Sequence, residues 1–381
     1  MKRVLIAGAA VEPFGKKVGE NVAEIGGRSL QALLRSSGVA PEQVDAGIVG
    51  SVYGGSLIAQ RVMQHGAIAG PPVFTVENAC ASGGTAVHLA CQAVAAGTYE
   101  CVAVVGVDQL SVFGGGALPL TTNDIEIAQG VVMPATYAMR AQRYLHDYGA
   151  DTASLDAVSV KNRGNGALNP RAHFQKPVAQ DEVGQSRPVA DPLRLLHCCP
   201  NSDGAAAVLV CSEDFARSLG RPTVAVRASV VLSGQFHTGY RDMTWPDITF
   251  RAAAQAYRQA ELEPRDIDLV ELHDAFSIAE LLHAEALGIS ERGQAHRDVR
   301  EGAFARDGRV AVSPSGGLLS RGHPVGATGV SQIAESYWQL TGQAEALQID
   351  NARIALTHAT GGGIFGVDNG ACSVHILEAG Q

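Results

Sequence analysis

The sequence of 381 residues lacks the features that mark several large classes of protein. No run of about 18 apolar residues occurs, so we predict no membrane-spanning helix. The net charge is −9, and no cluster of lysine and arginine is interleaved with aromatic residues, so nucleic-acid binding has no support. The first residues, MKRVLIAGAAVEPFG, include no long apolar segment followed by a cleavage site, and we expect a cytoplasmic protein.

Cysteine is sparse and forms no recognisable pattern. Seven cysteines are an odd number in a long chain, which argues against a disulfide framework, and no CxxC pair indicates a zinc site. The Gly114-Gly115-Gly116 run lacks the lysine and hydroxyl residue of a phosphate loop, and no GxGxxG follows the first strand. We therefore predict no metal and no tightly bound cofactor. We interpret all cysteines except Cys80 as core or incidental residues.

What the sequence does contain is a globular α/β pattern. It is 46% hydrophobic and has 44 glycines, a composition that suits helices packed closely on sheets. Short apolar runs alternate with stretches of helical periodicity, which predicts buried sheets between helical layers. The predicted strands are 4–9, 46–52, 102–107, 205–211, 224–232, 269–272, 354–357 and 373–377. The predicted helices lie near 22–37, 82–97, 249–261, 277–287 and 327–341.

A faint internal repeat suggests that one α/β unit occurs twice. Residues 28–49 read RSLQALLRSSGVAPEQVDAGIV, and residues 251–272 read RAAAQAYRQAELEPRDIDLVEL. Each stretch is a helix, a turn led by proline and an acidic residue that opens an apolar strand, so Asp45 matches Asp268. We interpret the match as a duplication, the alternative being chance similarity among alanine-rich helices.

One stretch fits neither copy. Residues 111–198 hold scattered glycine, proline and asparagine, with helices predicted near 135–149 and 152–166. A structureless loop of that length is uncommon, so we expect an inserted, functional loop domain on the first half. The predicted halves are therefore 1–215, which includes the insertion, and 216–381.

Cys80 is the first candidate for chemistry. It lies in ENACASGG, where small residues open a helical run. Because helix N-termini stabilise anions, we expect a lowered pKa for this thiol, and the glycines allow backbone N–H groups to approach an oxyanion. The local sequence favours a nucleophile and a buried structural cysteine equally.

His323 is the second candidate. It lies in SRGHPVGATG, at a proline turn that leads into a helix. Residues 322–340 are the second copy's counterpart of residues 78–96, which contain Cys80. If the halves pack about a pseudo-twofold axis, the two turns meet and form a Cys–His pair. A histidine considered alone would more often be a surface residue.

Two more histidines lie where strands end. His273, in ELHDAF, is at the carboxyl end of an apolar strand, the edge at which α/β proteins bind ligands, and there it would orient a water or a carbonyl. The alternative is a histidine satisfied by backbone groups. His358 precedes the glycines Gly361–Gly363, and an acid/base role and a structural role have equal weight for it.

Together, NACASG, HDAF, GHPVGATG and the final glycine-rich loop resemble the thiolase superfamily in type and order. The resemblance covers residues 1–377. The HDAF form, KNRGNGALNPRAHF and DPLRLLHCCPNSDGAAAV are similar to the sterol-carrier-protein-type thiolases and their bacterial thiolase-like relatives. The resemblance implies a duplicated, five-layered αβαβα thiolase fold with an inserted loop domain, usually in a homodimer.

The resemblance also implies roles for individual residues. Cys80 would take up an acyl group as a thioester, His323 would activate it, and His273 would complete an oxyanion hole through a water. Backbone N–H groups of Cys80 and of the loop Gly361–Gly363 would form a second hole, and the insertion would help to hold the pantetheine of coenzyme A, the substrate or product. The residues expected to bind substrate or an oxyanion are Gly362, Gly363, Phe276 and Ser315.

One departure from the family affects the second half-reaction. The family's second cysteine is replaced at both of its usual places, by Ala275 and Ala359, and His358 is the nearest candidate base by sequence. The leading hypothesis is an acyltransferase of lipid metabolism that acts on acyl-CoA or β-ketoacyl-CoA by thiolysis or Claisen chemistry. The alternatives are an aldol lyase or C-acyltransferase that works with a small OB-fold and zinc-ribbon partner, and a non-catalytic acyl-CoA-binding subunit.

Overall fold

The computed structural model describes residues 2–120, 124–236, 241–363 and 369–380. Its strands are β1 Val4–Gly15, β2 Ala46–Gly50, β3 Val73–Val76, β4 Cys101–Gln109, β5 Pro188–Ala190, β6 Leu193–Arg194, β7 Asp203–Ser212, β8 Val224–Ser233, β9 Leu269–Glu271, β10 Ala311–Val312, β11 Ile354–Gly361 and β12 Ala371–Ala379. Its α-helices are α1 Val22–Ser37, α2 Ile58–His65, α3 Ser82–Ala95, α4 Ile125–Ala128, α5 Met133–Tyr148, α6 Thr152–Gly166, α7 Gln180–Gln185, α8 Glu213–Ser218, α9 Asp247–Ala260, α10 Ser277–Ala286, α11 Ala295–Arg300, α12 Gly317–Ser320 and α13 Val325–Leu340.

The large sheet consists of two matching halves. Its strand order is β3-β2-β4-β7-β1 in the N-terminal half and β10-β9-β11-β12-β8 in the C-terminal half. In each half three strands run parallel, and the last two pair antiparallel. The two halves join where β1 pairs with β8 at Leu5–Ala225 and Ile6–Val224. The predicted duplication is therefore confirmed at the level of strand order.

The matched aspartates show the same duplication in atomic detail. Asp45 accepts hydrogen bonds from the backbone N–H groups of Glu100 and Cys101, where β4 begins. Asp268 accepts the same pair of bonds from Arg353 and Ile354, where β11 begins. Each carboxylate thus caps the start of the neighbouring parallel strand, which explains why an acidic residue opens each repeated strand.

Three hydrophobic clusters separate five layers. In the first, Leu30 of α1 and Val62 of α2 pack on one face of the N-terminal half-sheet. In the second, α3 and α13 lie between the two half-sheets, and Val330 and Ile333 contribute to this central cluster. The third joins α9 and α10 to the outer face of the C-terminal half-sheet. This arrangement confirms the predicted αβαβα order.

The insertion packs differently from expectation. Although it interrupts the N-terminal half, its buried side chains Tyr144 and Leu155 belong to the cluster of the C-terminal half, together with Ile278 of α10. Both helices predicted within it are present as α5 and α6. The insertion therefore crosses from one half to the other, which leaves it positioned above the ends of both half-sheets.

The central helices bring the two candidate turns together. Gly83 of α3 lies so close to α13 that a Cβ atom there would approach the Val330 nitrogen to 3.0 Å and the Gly329 nitrogen to 3.2 Å. Glycine at the crossing allows the two backbones to touch. Because Cys80 precedes α3 and His323 precedes α13, this contact places the two turns side by side. Within the described residues, no helix is both long and apolar enough to cross a bilayer.

Candidate active site

Cys80, His323 and His273 lie together. The Cys80 Sγ is 3.3 Å from the His323 Nε2. The His273 ring meets the His323 ring edge-on, with 5.1 Å between the ring centroids. One side-chain nitrogen of each histidine and the Cys80 sulfur lie within 4.8 Å of one another. The structure thus brings together three of the predicted residues, from one turn of the N-terminal half and two segments of the C-terminal half.

The turn before α3 holds Cys80 in a strained but well-anchored conformation. Ala79 has a φ of 46°, in the left-handed region that residues with a side chain rarely adopt. The Glu77 carboxylate accepts the Ala79 N–H at 2.7 Å, and the Ser82 hydroxyl accepts the Asn78 N–H at 2.8 Å. The same hydroxyl donates to the Ala79 carbonyl. These bonds fix the direction in which Cys80 points.

Hydrogen bonds also assign the tautomer of His323. Its Nδ1 lies 2.6 Å from the Thr328 Oγ1, and that hydroxyl donates its hydrogen to the Pro324 carbonyl at 3.0 Å. The Thr328 oxygen is therefore left as an acceptor, so Nδ1 carries the proton. The unprotonated Nε2 faces the Cys80 sulfur, which is the arrangement that a general base requires.

Asp108, at the end of β4, ties the segment after β2 to the first turn of α13. It accepts bonds from the Ser51 hydroxyl at 2.9 Å, the Tyr53 N–H at 2.8 Å and, across the half boundary, the Gly326 N–H at 2.6 Å. Burial raises the pKa of Asp108 to about 6, and these donors oppose that rise. The bond to Gly326 fixes the first turn of α13 and hence the position of His323.

The protonation state of the pair differs from the sequence-based prediction. Burial raises the pKa of Cys80 to about 12, although a hydrogen bond from the Gly362 N–H lowers it. Burial, with the charges of His273 and Arg321, holds the pKa of His323 well below its usual range. The expected lowering of the thiol pKa was wrong because the sulfur lies in a largely apolar cavity, where desolvation outweighs the field of α3. At neutral pH the pair is a thiol and a neutral imidazole.

His273 offers an uncharged polar group to the same space. It is 2% exposed, and burial lowers its pKa to about 4. Its Nδ1 has no hydrogen-bond partner among the described residues. A buried polar atom without a partner is costly, and a bound water or a substrate oxygen would remove that cost.

Two predicted site residues do not reach this space. The His358 Nε2 lies 3.1 Å from the Thr249 hydroxyl on α9, and its ring packs on His283 at 4.5 Å. The Ser315 hydroxyl donates to the Glu271 carboxylate at 2.7 Å within a buried ion pair. Neither side chain is on the cavity wall, so this geometry gives no support to the acid/base role predicted for His358 or to the substrate contact predicted for Ser315. His358 points outward to α9, a choice of strand face that glycine-rich motifs do not reveal.

The other predicted residues lie at or near the cavity. Gly362 and Phe276 line it, and Phe276 stacks on Tyr137 with 4.5 Å between the ring centroids. Gly363 follows Gly362 but is not part of the cavity wall within the described residues. The Gly362 N–H, directed at the Cys80 sulfur, is therefore the donor of this loop that faces the reacting atom.

The cavity has a volume of about 760 Å³. It extends from Cys80 beneath the insertion and falls within the range of sites for small molecules and cofactors. Two exposed cations on its wall, Lys16 and Arg187, have no ion-pair partner in the described part of the chain. The apolar side chains on its wall are Leu118, Leu120, Met133, Tyr137, Phe174, Val189 and Leu195.

A metal would have one place to bind in the described ranges. Only the trio of Cys80, His273 and His323 groups three suitable ligand atoms. Thiolate sulfur and neutral imidazole suit zinc. The Cys80 thiol is protonated at neutral pH, however, and its sulfur is already in a hydrogen bond with His323. The absence of a metal stays a prediction.

Residues for which the sequence predicted no role also line the cavity. They include Cys199 and Asn201, both in the stretch DPLRLLHCCPNSDG, and His173 of the insertion. Asn201 forms a parallel backbone bridge with His323, and the Cys199 N–H donates to the Ala275 carbonyl at 2.9 Å. The family resemblance of this stretch was the available signal, whereas the sequence analysis interpreted Cys199 as a core or incidental residue.

Family models match almost the whole chain. The thiolase N-terminal domain matches residues 4–214, and the thiolase C-terminal domain-like model matches residues 231–369. The first of these matches covers more than half of the chain.

Several curated proteins are similar over nearly the full length. The benzoylsuccinyl-CoA thiolase subunit BbsB of Thauera aromatica is 41% identical over 95% of this chain and 95% of its own length. An acetyl-CoA acetyltransferase of Methanothermobacter thermautotrophicus is 39% identical over 99% of this chain and 100% of its own. Sterol carrier protein 2 of Gallus gallus is 34% identical over 95% of this chain and 70% of its own.

A solved structure shows the same architecture. The Ltp2-ChsH2(DUF35) aldolase has a TM-score of 0.87 and 27% sequence identity, with 99% of this chain and 98% of that chain covered. The sequence matches extend through both halves and include the segments that hold Cys80 and His323. The chain therefore belongs to the thiolase family, and it is a thiolase-like acyl-CoA acyltransferase.

Proposed function

We propose that this acyltransferase works through a thioester on Cys80, with His323 as its base. The observation that supports this proposal is the 3.3 Å contact between the Cys80 Sγ and the unprotonated His323 Nε2. Both atoms face a cavity of about 760 Å³. A neutral thiol becomes nucleophilic only when its proton is removed, and the Nε2 is placed to remove it as the thiol attacks.

The first step consumes a β-ketoacyl-CoA or an acyl-CoA. His323 takes the Cys80 proton while the sulfur attacks the carbonyl carbon, and the resulting oxyanion lies beside the protonated imidazole. His273 supports this oxygen directly or through a water. Collapse of the intermediate leaves an acyl thioester on Cys80. An acyl-CoA releases coenzyme A, whose sulfur takes the proton held by His323, and a β-ketoacyl-CoA releases the shortened acyl-CoA once its α-carbon is protonated. The carbonyl oxygen of the thioester on Cys80 then faces the backbone N–H groups of Cys80 and Gly362. Fixed donors of this kind stabilise developing negative charge.

Coenzyme A enters as substrate or product, and the protein holds no tightly bound cofactor. Lys16 and Arg187 lie on the cavity wall without ion-pair partners in the described residues, so both are available to phosphate groups. The apolar wall beneath the insertion suits a pantetheine arm and an acyl chain. The names of two relatives, a benzoylsuccinyl-CoA thiolase subunit and an acetyl-CoA acetyltransferase, agree with a CoA thioester but differ in acyl group.

A homodimer is the proposed assembly. Strand β3 is an edge of the sheet, paired on one side with β2. Its Phe74 is 48% exposed, and Leu89 on α3 is 44% exposed. An unpaired edge with apolar side chains is a surface that a second copy would cover. A cytoplasmic location stays a prediction from the sequence.

The test is direct detection of the acyl-enzyme. The protein is incubated with acetyl-CoA, octanoyl-CoA or benzoyl-CoA, and peptides are analysed by mass spectrometry. We expect an acyl adduct on Cys80 with at least one of these compounds, and no adduct at that peptide in Cys80→Ser. A wild-type protein without any adduct on Cys80, or a Cys80→Ser variant with unchanged transferase activity, would refute the proposal.

A second candidate is an aldol lyase or C-acyltransferase that needs a small partner subunit. The similarity to the Ltp2-ChsH2(DUF35) aldolase favours it, as does the subunit name of BbsB. The alanines at 275 and 359 favour it further, because they remove the usual second cysteine. This candidate function predicts a folded protein that has no thiolysis activity alone. It predicts that lyase or C-acyltransferase activity appears when the partner protein encoded beside it in the genome is added. Cys80 acylation by the protein alone favours the first proposal.

A further inference from the structure

Cys199 lies directly opposite Ala275. Cys198 and Phe276 form an antiparallel backbone bridge, and the next pair outward is Cys199 with Ala275, whose N–H and carbonyl are bonded at 2.9 Å. In an antiparallel pair, opposite side chains point to the same face, with their Cβ atoms about 4.5–5.5 Å apart. This pairing places the Cys199 side chain on the same side of the two segments as a cysteine at position 275 would be.

The side of the two segments on which Cys199 and Ala275 lie forms part of the cavity wall. Cys199 and Ala275 both line it, together with Cys80, His273 and His323. Burial, with smaller contributions from Cys198, Cys80 and Asp274, holds the pKa of the Cys199 thiol well above its ordinary value. At rest Cys199 is consequently a protonated thiol, a form that can donate a proton but does not compete with Cys80 as nucleophile.

Three other titratable side chains on the wall, Tyr53, His173 and Cys198, are hydrogen-bonded away from the Cys80 sulfur. The Tyr53 hydroxyl donates to the Pro119 carbonyl at 3.0 Å. The His173 Nδ1 bonds the Ser202 hydroxyl at 2.8 Å, and the neighbouring Cys198 thiol points back to the Arg194 carbonyl at 3.4 Å. The Cys199 side chain, in contrast, has no hydrogen bond to any other described residue.

We propose that Cys199 transfers the proton at the α-carbon of the departing or attacking acyl-CoA, from a position across the strand from Ala275. This inference rests on the proposed Cys80 acyl-enzyme. It assigns to Cys199 the proton transfer for which the sequence offered no cysteine at positions 275 or 359, and for which His358 is on the wrong face of its strand.

In the cleavage direction every atom is accounted for. After Cys80 has attacked the β-carbonyl, the C–C bond breaks and its electron pair goes to the α-carbon. That carbon takes the proton of Cys199, which becomes a thiolate. His323 then returns a proton to the Cys199 thiolate. Coenzyme A enters, the now neutral His323 removes its thiol proton, and the CoA thiolate displaces Cys80 from the thioester. Cys80 recovers its proton from His323, and condensation is the same sequence reversed.

The test separates the two half-reactions. Wild-type protein and Cys199→Ala are incubated with acetyl-CoA or octanoyl-CoA, and Cys80 acylation is followed by mass spectrometry. The incorporation of deuterium from D₂O at the α-carbon is measured in parallel. We expect Cys199→Ala to keep the acylation rate within about threefold and to lose about 10²- to 10⁴-fold in α-carbon exchange, the usual worth of a general acid or base.

A transplanted cysteine distinguishes chemistry from structure. In Cys199→Ala/Ala275→Cys the thiol moves across the strand pair to the same space, so we expect exchange to return to within about tenfold of wild type, because the position of the thiol is restored. A purely structural role of Cys199 would not be rescued by a cysteine at 275. Circular dichroism and retained Cys80 acylation establish that each variant is folded.

The outcomes separate this inference from the proposed function. Absence of Cys80 acylation in the wild-type protein refutes the acyl-enzyme and, with it, the role of Cys199. Normal acylation without α-carbon exchange in the wild type refutes the role of Cys199 alone. Exchange that survives in Cys199→Ala, or that fails to return in the folded and acylated double variant, also overturns the inference.

Discussion

The turn before α3 and the turn before α13 occupy equivalent places in the two halves, yet they are stabilised in different ways. The first contains a strained residue, Ala79, which is held by side-chain hydrogen bonds from Glu77 and Ser82. The second contains Gly322 at a φ of 107°, a conformation that is easy for glycine. The side-chain bonds thus fix the position of Cys80, whereas the position of His323 depends on glycine and on contacts from the other half.

Those contacts are reciprocal. The end of β4, in the N-terminal half, anchors the turn before α13 through the bond from Gly326 to Asp108. The end of β11, in the C-terminal half, packs Gly361 against the backbone of the turn before α3, where a Cβ would lie 3.1 Å from the Cys80 nitrogen. Each half therefore positions the other half's catalytic turn. This arrangement explains how a duplicated unit keeps one shared site instead of two separate ones.

The largest expected effect comes from removing the base. In His323→Asn, acylation of Cys80 should slow by about 10²- to 10⁴-fold, because the buried thiol no longer has an acceptor for its proton. The acylation rate should then rise with pH, since the pKa of Cys80 lies near 12 and the thiolate fraction grows about tenfold per pH unit. Mass spectrometry of the Cys80 peptide between pH 7 and 9.5 measures both effects.

His146→Asn is the matched control for that experiment. His146 has a side chain that is 84% exposed on α5, so its substitution should leave acylation unchanged. If His323→Asn acylated as quickly as wild type, the Cys80–His323 pair would not be the reacting pair.

The next largest effect is expected from two glycine substitutions, each of which crowds one of the contacts between the halves. Gly361→Ala should crowd the turn before α3, and Gly106→Ala should crowd the turn before α13, where its Cβ would lie 2.7 Å from the Ala327 Cα. Overpacking of this kind costs about 1–3 kcal/mol, and we expect the upper end because backbone cannot move aside as a side chain does. Urea unfolding measures the loss, and acylation rates show which turn has moved.

Gly164→Ala provides the comparison. Gly164 lies in α6 with open space around it, and alanine favours helix by about 0.5–1 kcal/mol. The variant should therefore be equally or more stable than wild type. Equal stability of Gly361→Ala and Gly164→Ala would show that the end of β11 does not constrain the turn before α3.

A smaller effect is expected at Asp108, a residue of the N-terminal half that bonds the first turn of α13 in the C-terminal half. Asp108→Asn should cost about 2 kcal/mol, because one backbone N–H loses its acceptor while the charge burial is relieved. It should slow acylation of Cys80 because His323 is less well positioned. The acylation rate should also rise with pH, as in His323→Asn, but less steeply. A stable variant with an unchanged pH profile of acylation would remove Asp108 from the positioning of His323.

The smallest effect concerns His273 and pH. Its pKa is about 4 in the folded protein, below the ordinary 6.5, so the unfolded chain binds a proton that the folded chain rejects. Stability is therefore fully present above pH 6.5 and is lost as the pH falls towards 4. Between pH 7 and 5.5 the loss should be about 1 kcal/mol. Between these two pH values, the free energy of unfolding of His273→Asn, measured in urea, should fall by about 1 kcal/mol less than that of the wild-type protein. An equal fall in both proteins would contradict the lowered pKa of His273.

Most secondary structure could be predicted because its signals are local. The repeated Asp45 and Asp268 segments, the buried strands and the helices on either side all follow from periodicity within about 20 residues. Strand β3 was missed because it is short and half-exposed at the edge, so it has no apolar run. The packing of the insertion on the C-terminal half was missed because that contact joins segments more than 100 residues apart.

The site was predictable in part for the same reason. Cys80, His273 and His323 lie in turns and strand ends whose motifs are complete within ten residues. The direction of the Cys80 pKa shift was wrong, and the face taken by His358 was missed, because both depend on what covers a residue. Cys199 was dismissed because its relation to Ala275 arises from pairing between distant segments.

By itself, the sequence determined the family, the duplicated α/β order and the motifs that contain Cys80, His273 and His323, since turn geometry and hydrophobic period are encoded locally. Tertiary structure decided how those residues behave. It set the 3.3 Å contact between the Cys80 Sγ and the His323 Nε2, the tautomer of the imidazole and the burial that raises the pKa of the Cys80 thiol. These properties depend on distance and dielectric environment between segments far apart in the chain, which only folding brings together.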